Sequence, residues 1–211
     1  SIQEDKHMIQ DWLGVAFPAG SRSQQQHELT RVVETLGMAW GPLPGEDYFE
    51  SITLLQAVSR AKETFVAVEA GASFGYWSVK AAAAYRAQHS AGTCTIALIE
   101  LEDDLGMAAQ NLQRNGIFSH CRVLLLPAAA TGSLLDSIVR FAGHIDLLHV
   151  DIQGAEEYLL GESKLSSAIH HVHIGTHSPL IHRKVRQQMR AQGFSITFDF
   201  PPHTFTRTEF G

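Results

Sequence analysis

The 211-residue chain is 45% hydrophobic and 18% charged, the balance of one soluble globular domain with room for a sizeable core. Sixteen Lys+Arg against 22 Asp+Glu leave a formal net charge of -6, which argues against a surface built mainly to hold nucleic-acid backbone. No apolar run approaches the ~20 residues needed to span a bilayer, and the first residues show neither a basic region nor an apolar region of a secretory signal. Cys94 and Cys121 each sit beside a strand-like run. They predict a reduced, buried pair, and with it a cytoplasmic protein.

Residues 1–44 differ from the rest. Gln24, Gln25 and Gln26 and the 18–21 stretch are polar and turn-rich, and residues 41–45 (GPLPG) read as a linker or tight loop. Between them Leu29, Val32, Val33 and Leu36 fall at helical spacing. That stripe is too small to form its own core, so residues 1–44 are expected to act as a helical cap or a homodimer contact on a domain spanning 45–211. A second helix is predicted from Glu46, with Tyr48, Ile52, Leu55 and Val58 along one stripe.

After Lys62 the period changes to an alternation of strands and helices. The strand-like runs are 64–69 (TFVAVE), 95–99 (TIALI), 121–126 (CRVLLL), 145–150 (IDLLHV) and a shorter run at 172–174. Each is followed by a helical stretch. The second of these carries Leu105, Ala109 and Leu112 on one face and closes at Asn115-Gly116; the last is bounded by Ser178, Pro179 and Gly193. Residues 195–200 and 204–210 alternate across Pro201-Pro202 and read as a closing hairpin; the chain stops soon after the final strand begins, so that strand is expected to be cut short. Short uncharged strands between helices mean a parallel sheet covered on both faces. The expected fold is therefore a three-layer αβα, Rossmann-like sandwich, mostly parallel, with a C-terminal antiparallel hairpin.

In such sheets ligands bind beyond the carboxyl ends of the strands, so the residues just after each strand carry the functional argument. The first strand ends in Glu69, Gly71, Ala72, Ser73 and Gly75, a tight turn into a helix whose free amides can meet a ligand. Its G-x-x-x-G spacing is not the G-x-G-x-x-G of dinucleotide binders, and a purely structural glycine turn would look the same. The second strand ends in Glu100, where a carboxylate can accept both hydroxyls of a ribose; a solvated loop carboxylate is the plainer reading. Glu69 and Glu100 together describe a nucleoside ligand without phosphates. The fourth strand ends in Asp151, followed by Gly154 and by Glu156 in the first helical turn, where an acid also suits the helix dipole. Of the chain's 12 histidines, eight lie after residue 140. Lacking an H-E-x-x-H or paired C-x-x-C pattern, most read as surface or satisfied-core residues, and no metal ligand set is assigned. His177, at the exit of the fifth strand, is retained beside Asp151.

These segments resemble the FkbM family of S-adenosylmethionine-dependent methyltransferases. FVAVEAGASFGYWSV (65–79) is similar to that family's glycine loop, and ALIELEDDLGMAAQNLQRNGI (97–117) to its acidic strand tip and helix end. LLLPAAA (124–130) and IDLLHVDIQGAEEYLL (145–160) follow in register, the latter matching a D-x-x-G-x-E signature. The resemblance implies S-adenosylmethionine as cofactor. Gly71, Ala72, Ser73 and Gly75 would contour its methionine portion, with Glu69 reaching the amino group directly or through water. Glu100, with Leu101 beside it, would hold the ribose, and the backbone near Ala128 and Ala129 would flank the adenine. It further implies O-methylation of a hydroxyl on a sugar, glycolipid or secondary metabolite, a small-molecule or glycan acceptor. Asp151 would position acceptor or cofactor, His177 would be the general base, and Glu156 the alternate for either role. The chain departs from the pattern at Glu69 (usually Asp), Ser73 (usually Asn) and Gln153, where the family's D-V-E-G has a carboxylate. Two other readings stay open: a noncatalytic binding or assembly module that retains the fold, and an NAD-type oxidoreductase.

Overall fold

The computed structural model describes residues 8–11, 13–18, 46–162 and 166–202. Helix α1 spans Glu46–Arg60. Strand β3 (Thr64–Ala70), helix α2 (Tyr76–Gln88), strand β4 (Thr93–Glu100) and helix α3 (Glu102–Arg114) come next. They lead to β5 (Cys121–Pro127), α4 (Gly132–Ala142), β6 (Ile145–Val150), α5 (Glu156–Glu162), β7 (Ile169–Ile174) and α6 (Pro179–Ala191). Ahead of them, β1 (Met8–Gln10) and β2 (Ala16–Pro18) pair antiparallel as a small hairpin.

The five strands β3 to β7 form one sheet in the order β5-β4-β3-β6-β7, all parallel. The reason lies in the side chains. Phe65 and Ala67 of β3 face one core with Ile96, Leu98 and Leu147, while Val66, Val68 and Ala70 face a second core with Ala97, Ile99 and Leu148. Both faces are apolar, so both must be covered, and helical crossovers between parallel strands do the covering. Helices α1, α2 and α3 contribute to the first core and α4, α5 and α6 to the second. Each fully enclosed Leu, Ile or Phe contributes about 1.5–3 kcal/mol. The chain runs outward from β3 to β5 and then returns to the centre as β6. The order therefore reverses between β3 and β6, the switch point at which open parallel sheets bind ligands.

Three expectations change. On α1 the buried stripe is Ser51, Leu54, Ala57 and Val58, whereas Leu55 is exposed; the helix is turned so that the carboxylate of Glu50 meets histidines on the sheet. Residues 195–200 form no strand, and every pairing in the five-stranded sheet is parallel. Their side chains are held by helices instead: Asp199 pairs with His182 and Arg186 of α6, and Phe198 and Phe200 pack on Phe49 of α1. The other arm of the expected hairpin, 204–210, lies outside the described residues, as does the predicted stripe at 29–36. Finally, Cys94 and Cys121 are joined by a disulfide, because register places them opposite each other on β4 and β5 with Cα atoms 4.7 Å apart.

The N-terminal hairpin went unread in the sequence. Val15 and Phe17 are buried in the first core, Phe17 packs on Tyr76, and Asn115 at the end of α3 exchanges two hydrogen bonds with the backbone of Ala16. Lys80 of α2 pairs with Asp11 at 3.8 Å, both buried. No helix among the described residues is long and apolar enough to cross a membrane.

Candidate active site at the carboxyl ends of the strands

The loop after β3 is shaped by what lies against it. Gly71 has φ +80, and a Cβ there would overlap the carbonyl oxygen of Asp151, so only glycine lets this loop cross the end of β6. Its amide donates to Ile99 at 2.9 Å, tying the loop to β4 as well. Gly75 (φ +72) is the N-cap of α2 and has no side chain to satisfy the first amides of the helix. Glu69 does so from the strand: its carboxylate accepts from the amides of Trp77 at 3.2 Å and Ser78 at 2.8 Å. Glu69 is thus buried beneath the loop, not displayed on it, and burial raises its pKa despite the opposing pull of His149 and these amides.

Glu100, at the tip of β4, leans onto the same loop. One carboxylate oxygen accepts from the amide of Ser73 at 2.9 Å and the other from Leu101 at 2.7 Å. Each oxygen keeps acceptor capacity, since a carboxylate offers about four lone-pair sites. Leu101 is 64% exposed beside it, an apolar surface at the rim. Ala128 and Ala129 follow β5 on the exposed side, with the Ala128 amide donating to the Glu100 carbonyl at 3.1 Å. Glu100, Leu101, Ser73 and Ala128 therefore meet along one border of the glycine loop.

On the other side of the switch point, three predicted residues converge. The Asp151 carboxylate lies 3.2 Å from Nε2 of His177, and Glu156 lies 2.8 Å from Nδ1 of the same ring. Glu156 is fully buried and also accepts from the Gly154 amide at 3.0 Å. Asp151 is half-exposed and takes a further hydrogen bond from Gln153, which replaces the carboxylate of the family pattern. Local backbone makes this possible: Gln153 (φ 55) and Gly154 (φ 108) turn the chain sharply from β6 into α5. Ser178 and Pro179 start α6 directly after His177. With Glu156 accepting the proton of Nδ1, a neutral ring leaves Nε2 as an acceptor for a hydroxyl brought to it, while the protonated ring donates from Nε2 to Asp151.

A second polar layer, not read in the sequence, lies one residue back from the strand ends. Register places Glu69, His149 and His173 side by side on β3, β6 and β7. Glu50 of α1 closes over them, 2.9 Å from His149 Nε2 and 3.4 Å from His173 Nε2. The ring of Trp77 stacks on His149 at 5.4 Å. Burial works against a charge on His149, but the hydrogen bond and charge of Glu50, backed by Glu69 and Asp151, outweigh it and raise its pKa. Burial and the neighbouring His149 lower His173 to about 3. The signal was present: β6 is buried on both faces, so a histidine inside IDLLHV needs a partner from elsewhere.

The arrangement is a Rossmann-like α/β fold that is shared with a solved methyltransferase. Among solved structures, precorrin-6y C5,15-methyltransferase from Geobacter metallireducens is similar to 74% of this chain and 76% of its own, with 17% identity and a TM-score of 0.52. A putative caffeoyl-CoA O-methyltransferase from Staphylococcus aureus covers 85% of this chain and 90% of its own at 14% identity and a TM-score of 0.46. No protein-family model and no curated protein sequence matches this chain.

Proposed function

We propose that this protein is an S-adenosylmethionine-dependent methyltransferase, FkbM-like, that transfers a methyl group to a hydroxyl on a sugar, glycolipid or secondary metabolite. The observation that carries this reading is the convergence of Asp151, His177 and Glu156 across the switch point from the loop of Gly71 and Gly75. The residues along the strand ends fit the cofactor. Glu100 retains acceptor capacity for a ribose diol, Leu101 offers an apolar face for adenine, and Ala128 and Ala129 leave room on the same border. Gly71, Ala72, Ser73 and Gly75 would follow the methionine portion, with Glu69 shaping that seat through the start of α2. When bound, S-adenosylmethionine supplies an electrophilic methyl group on a sulfonium.

The chain's own part is positioning and proton transfer. In-line displacement needs the acceptor oxygen held ~3 Å from the methyl carbon, and orientation supplies much of the rate. His177 Nε2 takes the hydroxyl proton, Glu156 holds the ring through Nδ1, and half-exposed Asp151 orients the acceptor. Two variants test this. Glu100→Ala removes a charged acceptor worth ~1.5–3 kcal/mol per hydrogen bond, so calorimetry should show S-adenosylhomocysteine binding at least ~10-fold weaker. His177→Ala should keep that affinity but lose ~10²-fold or more in single-turnover methylation across a panel of hydroxyl acceptors. Unchanged cofactor affinity in the first, or an unchanged rate and pH profile in the second, overturns the corresponding role. Absence of cofactor binding in the parent would favour a noncatalytic module.

A further inference from the structure

From the polar layer behind the strand ends, we infer that Glu50, His149 and His173 form a binding site for a divalent transition-metal ion of the zinc class, with water in the fourth position. The donor set is two imidazole nitrogens and one carboxylate, the composition of three-ligand zinc sites that keep one position open. Their ligand atoms all lie within 4.8 Å of one another, and both histidines turn Nε2 toward the same oxygen of Glu50. A tetrahedral ion with bonds of ~2.0–2.1 Å needs neighbouring ligand atoms about 3.3 Å apart. The 3.4 Å between Glu50 and His173 already meets that, and the 2.9 Å between Glu50 and His149 is a hydrogen bond that an ion would open slightly.

Three further features fit. The ligands come from α1, β6 and β7, so a bound ion would pin the helix to the two strands whose ends carry Asp151 and Gly175. Glu69 adds a second buried carboxylate next to His149, and a divalent cation answers both negative charges where one proton answers one. His149 and Glu50 are enclosed, with Trp77 stacked over His149, while His173 keeps 19% of its side chain exposed and leaves a way in. The ion's place is set apart from the Asp151–Glu156–His177 group, which could also gather three ligand atoms.

The test uses full-length protein stripped with a chelator and titrated with Co2+ alone, whose four-coordinate form shows visible d–d absorption. The parent should bind one equivalent with those bands, and Zn2+ should displace it. Losing one ligand of three should exceed the ~10–100-fold effect of outer-shell partners, so Glu50→Gln and His173→Ala should each weaken binding ~100-fold or more. His177→Ala should bind Co2+ like the parent. The inference fails if the parent binds no Co2+, if the two ligand variants bind as the parent does, or if His177→Ala abolishes binding. Should Glu50→Gln not fold, the more exposed His173→Ala decides, because Zn2+ should raise the melting temperature of the parent and not of that variant.

Discussion

Gly71→Ala separates a glycine kept for the fold from one kept only for a ligand. The added Cβ would overlap the Asp151 carbonyl oxygen, a backbone atom that cannot swing aside. At φ +80, an alanine also pays about 1–2 kcal/mol for left-handed backbone. Relieving the overlap means parting the β3 loop from the end of β6. That strains the hydrogen bonds of Gly71 to Ile99 and of Asp151 to Ala70, and leaving one unmade costs about 1–3 kcal/mol. Together the loss should be about 2–5 kcal/mol, a large share of the 5–15 kcal/mol that holds a domain folded. Urea unfolding followed by circular dichroism, without ligand, measures it. Gly106→Ala is the control: this glycine lies within α3 with nothing within 4 Å of its Cβ position, so alanine should stabilise by about 0.5–1 kcal/mol. A Gly71→Ala protein within 0.5 kcal/mol of the parent would refute the close-approach argument.

Other consequences can be measured without knowing the acceptor. Reducing the Cys94–Cys121 bond, which closes a separation of 27 residues, should lower stability by about 3–4 kcal/mol; equal urea midpoints with and without reductant would contradict that. Tyr85 is fully buried, donates to the Lys62 carbonyl at 2.8 Å, and has its pKa raised by burial, Asp146 and Glu63. A raised pKa gives stability that is present below the unfolded value near ~10 and lost as pH rises toward the folded value, at up to about 1.4 kcal/mol per pH unit. Tyr85→Phe should therefore show a shallower alkaline loss than the parent, and parallel pH profiles would remove Tyr85 as its source.

The alternation of short apolar strands with helices was legible because both signals are local. Each strand needs a run of apolar residues, and each helix its own periodicity and caps. Ser178, Pro179 and Gly193 marked α6, and IDLLHV marked β6 to the residue. The glycines of the first loop, Glu100, Asp151 and His177 were legible as candidates because a parallel sheet puts the ends of its strands on one side. What they do there was decided by contacts between distant segments. Glu69 serves α2 because Gly75 has no side chain to cap it. Asp151 and Glu156 reach His177 because β6 and β7 are neighbours in the sheet. Glu50 joins His149 across 99 positions, and Cys94 joins Cys121 through strand register. Residues 195–200 alternate like a strand yet follow α6 and α1, since their partners are Asp199's cations and Phe49, not another backbone. Periodicity reports how a segment presents its side chains; strand order and register, which no single segment encodes, determine what those side chains meet.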